Sequence, residues 1–338
     1  MPNPTILVFL DGPDATSASA QLTEVRPAVL ELLTLGRALG RVDVLTMAAP
    51  SVPVLATLGA YGVQNVHQAQ LPMSVPPLAR RVTPILAAVF ADAVRRIDAD
   101  VLLVPSSYAG REAAAVAAAR LGAGFVADAS GLTWTGDGER PLRAAKRVLG
   151  GTWDTVSTIA SDPAIVTVRA NAITSKPAAT ATHPDVWPVP IEVAPPLVTV
   201  ASRTVKDRDH GRPRPQEAAT VVVGGRGVNG DFGPVADLAD ALGGAVGATR
   251  DAAFEGWFDS YIGQTGIVVS PRLYIGAGVS GAPHHAVGMS SSQVIVAVNN
   301  DADAPLIEMA DLAVIGDLAD ILPQAAATIY AHKTKPGG

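Results

Sequence analysis

The sequence predicts an α/β fold of two domains, each built on a mostly parallel sheet. Short β-branched apolar runs alternate with segments whose apolar residues recur at helical spacing. This alternation occurs in two blocks, separated by a stretch rich in proline, threonine and charge at residues 174–215. The 338 residues are 48% apolar, which is enough for two buried cores of roughly 150 residues each.

The first block begins with an apolar run at residues 5–10 and an Asp-Gly turn, which predict a strand and its exit. Pro27 near its start and Gly40 just past its end mark the first helix, and Pro84 opens another. Strands are predicted at residues 42–47, 63–67, 101–105 and 124–127, and helices at 25–39, 52–58, 85–97 and an alanine-rich segment ending at 120–122. This alternation favours right-handed βαβ units and a parallel sheet.

The pattern changes between residues 132 and 169. Trp134, the Asp137-Gly138 turn and the period-2 segments at 155–159 and 165–168 predict antiparallel strands appended to the sheet. The stretch at 174–215 is predicted to be an exposed, extended connection, with one strand at 198–201 attached to a sheet. For residues 206–215 alone, a disordered tail within one domain fits equally well.

We therefore expect an N-terminal domain at residues 1–205 that faces a partner, and a C-terminal domain at 206–338. In the second block, strands are predicted at 220–223, 273–276, 294–298 and 312–315, helical segments at 235–242, 285–289 and 319–330, and a loop and turn at 303–310. Gly233-Pro234 opens the first of those helices.

Composition excludes several classes of function. The net charge is −6 and aromatics are only 4%, which argues against nucleic acid or an anionic membrane as the main partner. The chain has no cysteine, which excludes disulfides, thiolate nucleophiles and cysteine-ligated metals. The first residues lack a basic region, and no apolar run approaches about 20 residues. We expect a cytoplasmic protein without membrane insertion.

Clusters of glycine, hydroxyl and charged residues recur in the second block. They stand at residues 224–227, 247–250, 263–266, 278–285 and 298–301, with a last pair at 316–317. Most follow an apolar run, and loops at the carboxyl ends of parallel strands form ligand sites. The clusters therefore predict one nucleotide-sized site.

Residues 225–230 match G-x-G-x-x-G, whose glycines would let the backbone approach a pyrophosphate. The match is weak alone in a chain with 32 glycines, although Arg226 could bind phosphate bidentately. Asp251 could hold a ribose as in NAD sites, whereas Arg250 would suit a 2′-phosphate or a flavin. An NADP-linked oxidoreductase is therefore one alternative.

Other motifs are incomplete. Ser280-Gly281 lacks the G-x-S-x-G spacing, and the adjacent His284 and His285 have no metal-ligand spacing to an acidic or histidine partner. Gln264-Thr265 offers an amide and a hydroxyl between glycines, or is an ordinary surface turn. Ser106, Ser107 and Arg111 at a strand–helix junction form a weaker second candidate for a nucleotide site.

Taken in order, these clusters resemble the C-terminal, FAD-binding domain of the electron transfer flavoprotein α subunit. The matching residues are 224–227, 247–250, 263–266, 273–275, 278–282, 298–299, 304–305 and 310–311, together with His285. The first half is similar more loosely, at residues 30–33, 110–111, 120–124 and 167–169. The resemblance thus covers nearly the whole chain.

The resemblance implies FAD as cofactor and a set of residues that bind it: Arg226, Thr249, Arg250, Ile262, Gly263, Gln264, Thr265, Ser280, Gly281, Ala282, Pro283, His284, His285, Asn299 and Asp317. Arg226, Ser280 and the backbone of 281–283 would hold the phosphates, and Asn299 and Asp317 the ribose and adenine end. Residues 262–265 would wrap the isoalloxazine, with the Thr265 hydroxyl near N5.

Arg250, Thr265 and His285 would tune the flavin, Arg250 lying close to the ring and His285 facing its N1–O2 edge. A cation and a donor there stabilise negative charge on a reduced flavin. The chain departs from the family at Ile267 and Asn300, where lysine is common, and at Pro283-His284, where Ile-Gln is usual. These departures concern the potential and the docking charge rather than FAD binding.

The resemblance further implies an electron carrier rather than an enzyme, paired as a heterodimer with a β subunit. It would accept electrons from flavin dehydrogenases, such as the acyl-CoA dehydrogenases of fatty acid β-oxidation, and pass them to a quinone-linked oxidoreductase. Besides the NADP-linked enzyme, a non-redox binding module that kept the fold is a third alternative.

Overall fold

A computed structural model of the protein describes residues 3–12, 21–135, 141–194, 200–202, 204 and 211–334. The chain divides into two compact units, residues 1–146 with 154–206, and residues 147–153 with 207–338. Within the described ranges, no helix is both long and apolar enough to span a bilayer.

The strands of the first unit are β1 (Thr5–Leu10), β2 (Arg41–Thr46), β3 (Asn65–Gln70), β4 (Val101–Pro105), β5 (Gly124–Ala129), β6 (Gly131–Trp134), β7 (Leu142–Val148), β8 (Trp153–Ile159), β9 (Ala164–Val168) and β10 (Asp185–Pro190). Its helices are α1 (Pro27–Leu39), α2 (Val52–Ala60), α3 (Thr83–Ile97) and α4 (Tyr108–Leu121). Among the described residues, seven strands form a parallel sheet in the order β10-β3-β2-β1-β4-β9-β5.

Alternate residues of β1 face opposite sides of this sheet, where two hydrophobic clusters lie. Ile6 and Val8 join the cluster that contains residues of α1, and Leu7 and Phe9 join the cluster that contains residues of α3. Phe9 and Phe90 pack edge to face with ring centroids 4.8 Å apart. Covered on both sides, the central strands need continuous apolar runs, as β4 shows with five buried residues.

One strand prediction in this unit is wrong. The segment at 165–168 was expected to be antiparallel, but β9 lies parallel between β4 and β5 with every residue buried. Thr167 produced the alternating pattern. Its hydroxyl is buried but not left without a partner, because it accepts a hydrogen bond from the Asp128 amide at 2.9 Å. A single satisfied polar group is compatible with a fully buried strand.

The other segment, at 155–159, lies in β8 next to β7, in a small sheet where β6 and β7 pair antiparallel. The Asp137-Gly138 turn lies outside the described residues. So do residues 206–210 and the first half of the strand predicted at 198–201, whose described residues 200 and 201 form no strand.

The connection at 174–215 contains a strand that was not predicted. β10 pairs in parallel with β3 at the edge of the sheet. Pro188 and Pro190 lie in it, which lowered its strand signal. Proline is tolerated at a sheet edge because one side of an edge strand needs no ladder donor.

The second unit contains strands β11 (Thr220–Gly224), β12 (Ala245–Ala248), β13 (Leu273–Ala277), β14 (Val294–Asn299) and β15 (Leu312–Ile315), and helices α5 (Gly233–Leu242), α6 (Arg250–Phe254), α7 (Pro283–Met289), α8 (Pro305–Met309) and α9 (Leu318–Lys333). Its described strands form a parallel sheet in the order β12-β11-β13-β14-β15. Residues 147–153 also pack in this unit, where the Ser290 hydroxyl donates to the Gly150 carbonyl.

The chain leaves β11 towards β12 and then returns to β13 on the other side of β11. This reversal is the topological switch point at which open parallel sheets bind ligands. The predicted fold class, α/β with mostly parallel sheets and a Rossmann-like second domain, is confirmed.

Candidate functional site

A cavity of about 280 Å³ opens at the carboxyl ends of the second sheet. Its wall comes from segments that follow β11, β12, β13 and β14, and from residues 261–265. The segments after β11 and β13 meet at the switch point, so the cavity lies where the topology predicts a ligand.

The cavity wall includes all the residues that the resemblance assigned to cofactor binding except two. Pro283 is the first residue of α7 and does not line the cavity, and Asp317 caps α9 by accepting from the Ala319 amide at 2.9 Å. The wall also holds side chains that were not on that list: Asp251, Tyr261, Asn300 and Asp301.

The glycines after β11 allow close contact between the turn that follows β11 and the turn that follows β13. The Gly225 amide donates to the Ala277 carbonyl at 2.9 Å, and the Gly227 amide to the Gly278 carbonyl at 3.1 Å. A Cβ on Gly225 would lie 2.2 Å from the Gly278 carbonyl oxygen. The G-x-G spacing therefore lets two backbones pack closely.

The third glycine of the fingerprint lies elsewhere. Gly230 packs against the Trp257 indole rather than lining the cavity, and α5 begins only at Gly233. The motif does not form the turn that leads directly into a helix in dinucleotide-binding folds. This removes the main support for the NADP alternative.

Two arginines and a nearby carboxylate make up the charged part of the wall. Arg226 Nε lies 3.6 Å from Asp251 Oδ2, and both side chains are more than half exposed. Arg250 begins α6, whose N-cap Thr249 accepts from the Ala252 amide at 3.4 Å. In the described part of the chain Arg250 makes no ion pair, so its guanidinium is available to a ligand.

Residues 261–267 form a closed turn. The Ile267 amide donates to the Tyr261 carbonyl at 2.8 Å, and the Gly263 amide to the Ile267 carbonyl at 3.0 Å. The Tyr261 hydroxyl lies 3.0 Å from Thr265 Oγ1. The Gln264 amide donates to the His284 carbonyl at 2.8 Å, which ties this turn to the start of α7. It is therefore a fixed wall rather than an ordinary surface turn.

His285 is buried behind this turn with both ring nitrogens engaged. Nε2 lies 2.6 Å from the Tyr274 hydroxyl, and Nδ1 lies 3.0 Å from the Ile262 carbonyl oxygen. Burial lowers the pKa of His285, and the bond to Ile262 opposes this only in part. Burial also raises the pKa of Tyr274, so both rings are neutral near pH 7. His284 is exposed, as expected for neighbouring side chains that diverge.

Asn299 joins the loops after β13 and β14. Its Nδ2 donates to the Val279 carbonyl at 3.1 Å, and its Oδ1 accepts from the Asp301 amide at 3.1 Å. Gly281 is required beside it, because its φ is +85° and a Cβ would lie 2.4 Å from the Leu306 amide nitrogen. This part of the wall is thus held by close backbone packing and by one side-chain amide.

The donors suit a ligand with phosphates and a heteroaromatic ring. Arg226, the Ser280 hydroxyl and the side-chain-free backbone at Gly281 can bind phosphate oxygens, and Gln264 and Thr265 present a side-chain amide and a hydroxyl. The residues present therefore fit FAD. Over the ranges that the structure describes, no three His, Asp or Glu side chains are placed to hold a metal ion.

The candidate in the first unit has a structural explanation. Ser107 caps α4 by accepting from the Gly110 amide at 3.0 Å, and Ser106 donates to Asp128 at 2.8 Å. Burial alone would raise the pKa of Asp128, but hydrogen bonds from Arg169 and Ser106 outweigh it and lower that pKa. The Arg111 guanidinium lies over the Tyr108 ring. These side chains are committed to local contacts.

Sequence reasoning missed two tyrosines of the site. Tyr261 directly precedes the predicted segment 262–265, and that adjacency was the available signal. Tyr274 was placed in a predicted strand and among the residues that match the family, but no role in the site was assigned to it, and nothing local indicates its bond to His285.

Comparison with known proteins agrees with this geometry. The electron transfer flavoprotein FAD-binding domain matches residues 216–290, and the electron transfer flavoprotein domain matches residues 16–192.

Similar curated proteins include the electron transfer flavoprotein subunit alpha of Mycobacterium leprae, 36% identical over 314 residues, covering 90% of this chain and 93% of the relative. The protein of the same name from Clostridium acetobutylicum is 35% identical over 268 residues, covering 75% of this chain and 77% of the relative. Protein FixB of Rhizobium meliloti is 31% identical over 331 residues, covering 93% of this chain and 91% of the relative.

Proposed function

Because this chain belongs to the electron transfer flavoprotein α-subunit family, we propose that it carries electrons from flavin dehydrogenases to a quinone-linked oxidoreductase. Its C-terminal part is an FAD-binding domain, and the family supports an electron-transfer role. The observation that carries the proposal is the convergence of the strand-end loops on one cavity with two arginines, a Ser280 hydroxyl and glycine-lined backbone. Substrate chemistry is assigned to the partners rather than to this chain.

Bound FAD supplies the capacity to accept and donate one or two electrons. The chain's own residues bind and orient it. Arg226, Ser280 and the backbone near Gly281 would hold the diphosphate, and residues 262–265 would hold the isoalloxazine. Asn299 keeps the loops after β13 and β14 together, which fixes the spacing of those groups.

The positive charge that stabilises the reduced cofactor is assigned to Arg250. Its guanidinium lies on the wall, whereas His285 is buried, neutral and hydrogen-bonded through both nitrogens. His285 would then contribute by fixing the Ile262 carbonyl and the turn that follows it. Thr265, held by Tyr261, would offer its hydroxyl to the ring.

The proposal includes a partner β subunit, because the relatives are named as alpha subunits. This chain would face that subunit with its N-terminal domain at residues 1–205 and would bind FAD with residues 206–338. Acyl-CoA dehydrogenases are the proposed donors. The proposed location is the cytoplasm, with which a chain without cysteine is compatible.

Co-expression with the β subunit encoded by the same source tests the proposal. The purified complex should be yellow, contain FAD at 1:1, and be reduced by a flavin dehydrogenase with its substrate. A colourless complex that cannot be reconstituted with FAD would contradict it. The same purified complex is also titrated with NADPH, since tight NADPH binding without FAD would support the alternative of an NADP-linked oxidoreductase.

A further inference from the structure

Asp251 places a carboxylate beside the arginine that would receive the phosphates. Asp251 Oδ2 is 3.6 Å from Arg226 Nε, within ion-pair range but longer than a hydrogen bond. Arg226 begins the short 3₁₀ turn after β11, whereas Asp251 lies in the first turn of α6, after β12. The two side chains are 70% and 56% exposed, so each can turn towards a ligand without opening the core.

The charges on the described cavity wall cancel. Two arginines, Arg226 and Arg250, face two aspartates, Asp251 and Asp301, when histidines are counted as neutral. Asp301 is engaged in its own turn, where Oδ1 accepts from the Asp303 amide at 3.0 Å. Of these two aspartates, Asp251 is the one whose carboxylate lies close to an arginine, Arg226. A diphosphate would therefore enter a site whose phosphate-binding cation already has a counter-ion.

We propose that Asp251 is a specificity-determining residue that competes with ligand phosphates for Arg226 and so limits the affinity of the cavity for anions. This rests on the proposed function. A phosphate that binds Arg226 must displace or share the Asp251 carboxylate, so ligands that bind through Arg226 are disfavoured relative to ligands that do not. Because both groups are exposed, the effect is modest, up to about five-fold in Kd, and is screened by salt.

The test uses the full chain in complex with its β subunit, stripped of FAD and titrated with FAD by flavin fluorescence. Asp251→Asn should tighten FAD binding about two- to five-fold at low ionic strength, and the gain should shrink as salt is added. Asp259→Asn is the control, since Asp259 is exposed and outside the cavity wall. Asp251→Ser repeats the charge removal without an amide.

A second arm isolates the ion pair. In an Arg226→Ala background, Asp251→Asn should no longer tighten binding, because the cation for which Asp251 competes is gone. Inorganic pyrophosphate should displace FAD from the Asp251→Asn complex at lower concentrations than from wild type, after correction for the tighter FAD binding, because pyrophosphate also binds through Arg226.

Three results would overturn the inference: Asp251→Asn binds FAD like Asp259→Asn, binds it more weakly, or keeps its gain without Arg226. Weaker binding would mean that Asp251 contacts the cofactor itself. If FAD binds normally and only these differences are missing, the proposed function stands. If no variant and no wild-type complex binds FAD, both proposals fail.

Discussion

The Tyr274 hydroxyl and His285 Nε2 are joined by a buried hydrogen bond of 2.6 Å. The second ring nitrogen, Nδ1, lies 3.0 Å from the Ile262 carbonyl oxygen, which can only accept. Nδ1 therefore carries the proton, and Nε2 of the neutral ring accepts from Tyr274. The tautomer of His285 is set by one residue of β13 and one backbone carbonyl of the cavity wall.

Tyr274→Phe should destabilise the protein by about 1–3 kcal/mol, because Nε2 is then left buried without a donor. Urea unfolding measures the loss, and ¹⁵N chemical shifts of the imidazole report whether the tautomer is still unique. Tyr330→Phe is the control, since Tyr330 is exposed on α9. Equal unfolding free energies for wild type and Tyr274→Phe would show that the bond contributes no stability.

Stability should fall as pH drops below about 6.5, the ordinary pKa of histidine. Burial holds the pKa of folded His285 below that value, so between the two pKa values the unfolded chain binds a proton that the folded protein excludes. His285→Gln should flatten this part of the Tm-against-pH curve between pH 7 and 5. Parallel curves for wild type and His285→Gln would contradict the assignment.

Arg250→Ala should lower the first reduction potential of bound FAD, since a cation near the ring favours the added negative charge. An exposed charge interaction contributes up to about 1 kcal/mol, which is about 40 mV for one electron. Arg250→Lys keeps the charge and should retain most of the potential. Arg272→Ala removes an exposed arginine outside the wall. A redox titration in which Arg250→Ala matches Arg272→Ala would assign Arg250 a structural role.

Tyr261→Phe frees the Thr265 hydroxyl from its 3.0 Å partner. Because a hydrogen bond contributes about 0.5–1.5 kcal/mol, FAD should bind up to about ten-fold more weakly. If the two hydroxyls act as a unit, Tyr261→Phe has no further effect in a Thr265→Val background. Additive losses in this double-mutant cycle would mean that each hydroxyl acts separately.

Gly225→Ala should separate the turns after β11 and β13. The new Cβ would lie 2.2 Å from the Gly278 carbonyl oxygen, so the backbone must shift at a cost of about 1–3 kcal/mol. FAD affinity should fall with stability, because the same turns form the cavity wall. Gly131→Ala is the control, with no atom within 4 Å of its Cβ. Wild-type unfolding and FAD binding in Gly225→Ala would show that the turns tolerate separation.

The strands and helices that were predicted well carry their signal within a few neighbouring residues. The apolar run of β4 and the Pro27–Gly40 limits of α1 are local, and local periodicity reports local structure. β9 and β10 were not placed correctly, because parallel pairing with β4 or β3 joins segments far apart in the chain. A period-2 pattern predicts a strand but does not indicate which strand it pairs with or in which direction.

The order of the glycine and hydroxyl clusters was sufficient, from sequence alone, to indicate the family, FAD and most residues of the cavity wall. Only the tertiary structure showed that Gly225 packs on Gly278, that Tyr274 holds His285, and that Asp251 faces Arg226. The first and third relationships join segments that follow different strands, which become neighbours only when the parallel sheet forms, whereas Tyr274 and His285 meet because α7 packs back against β13. The sequence thus determined which residue types the site contains, and packing decided which of them meet.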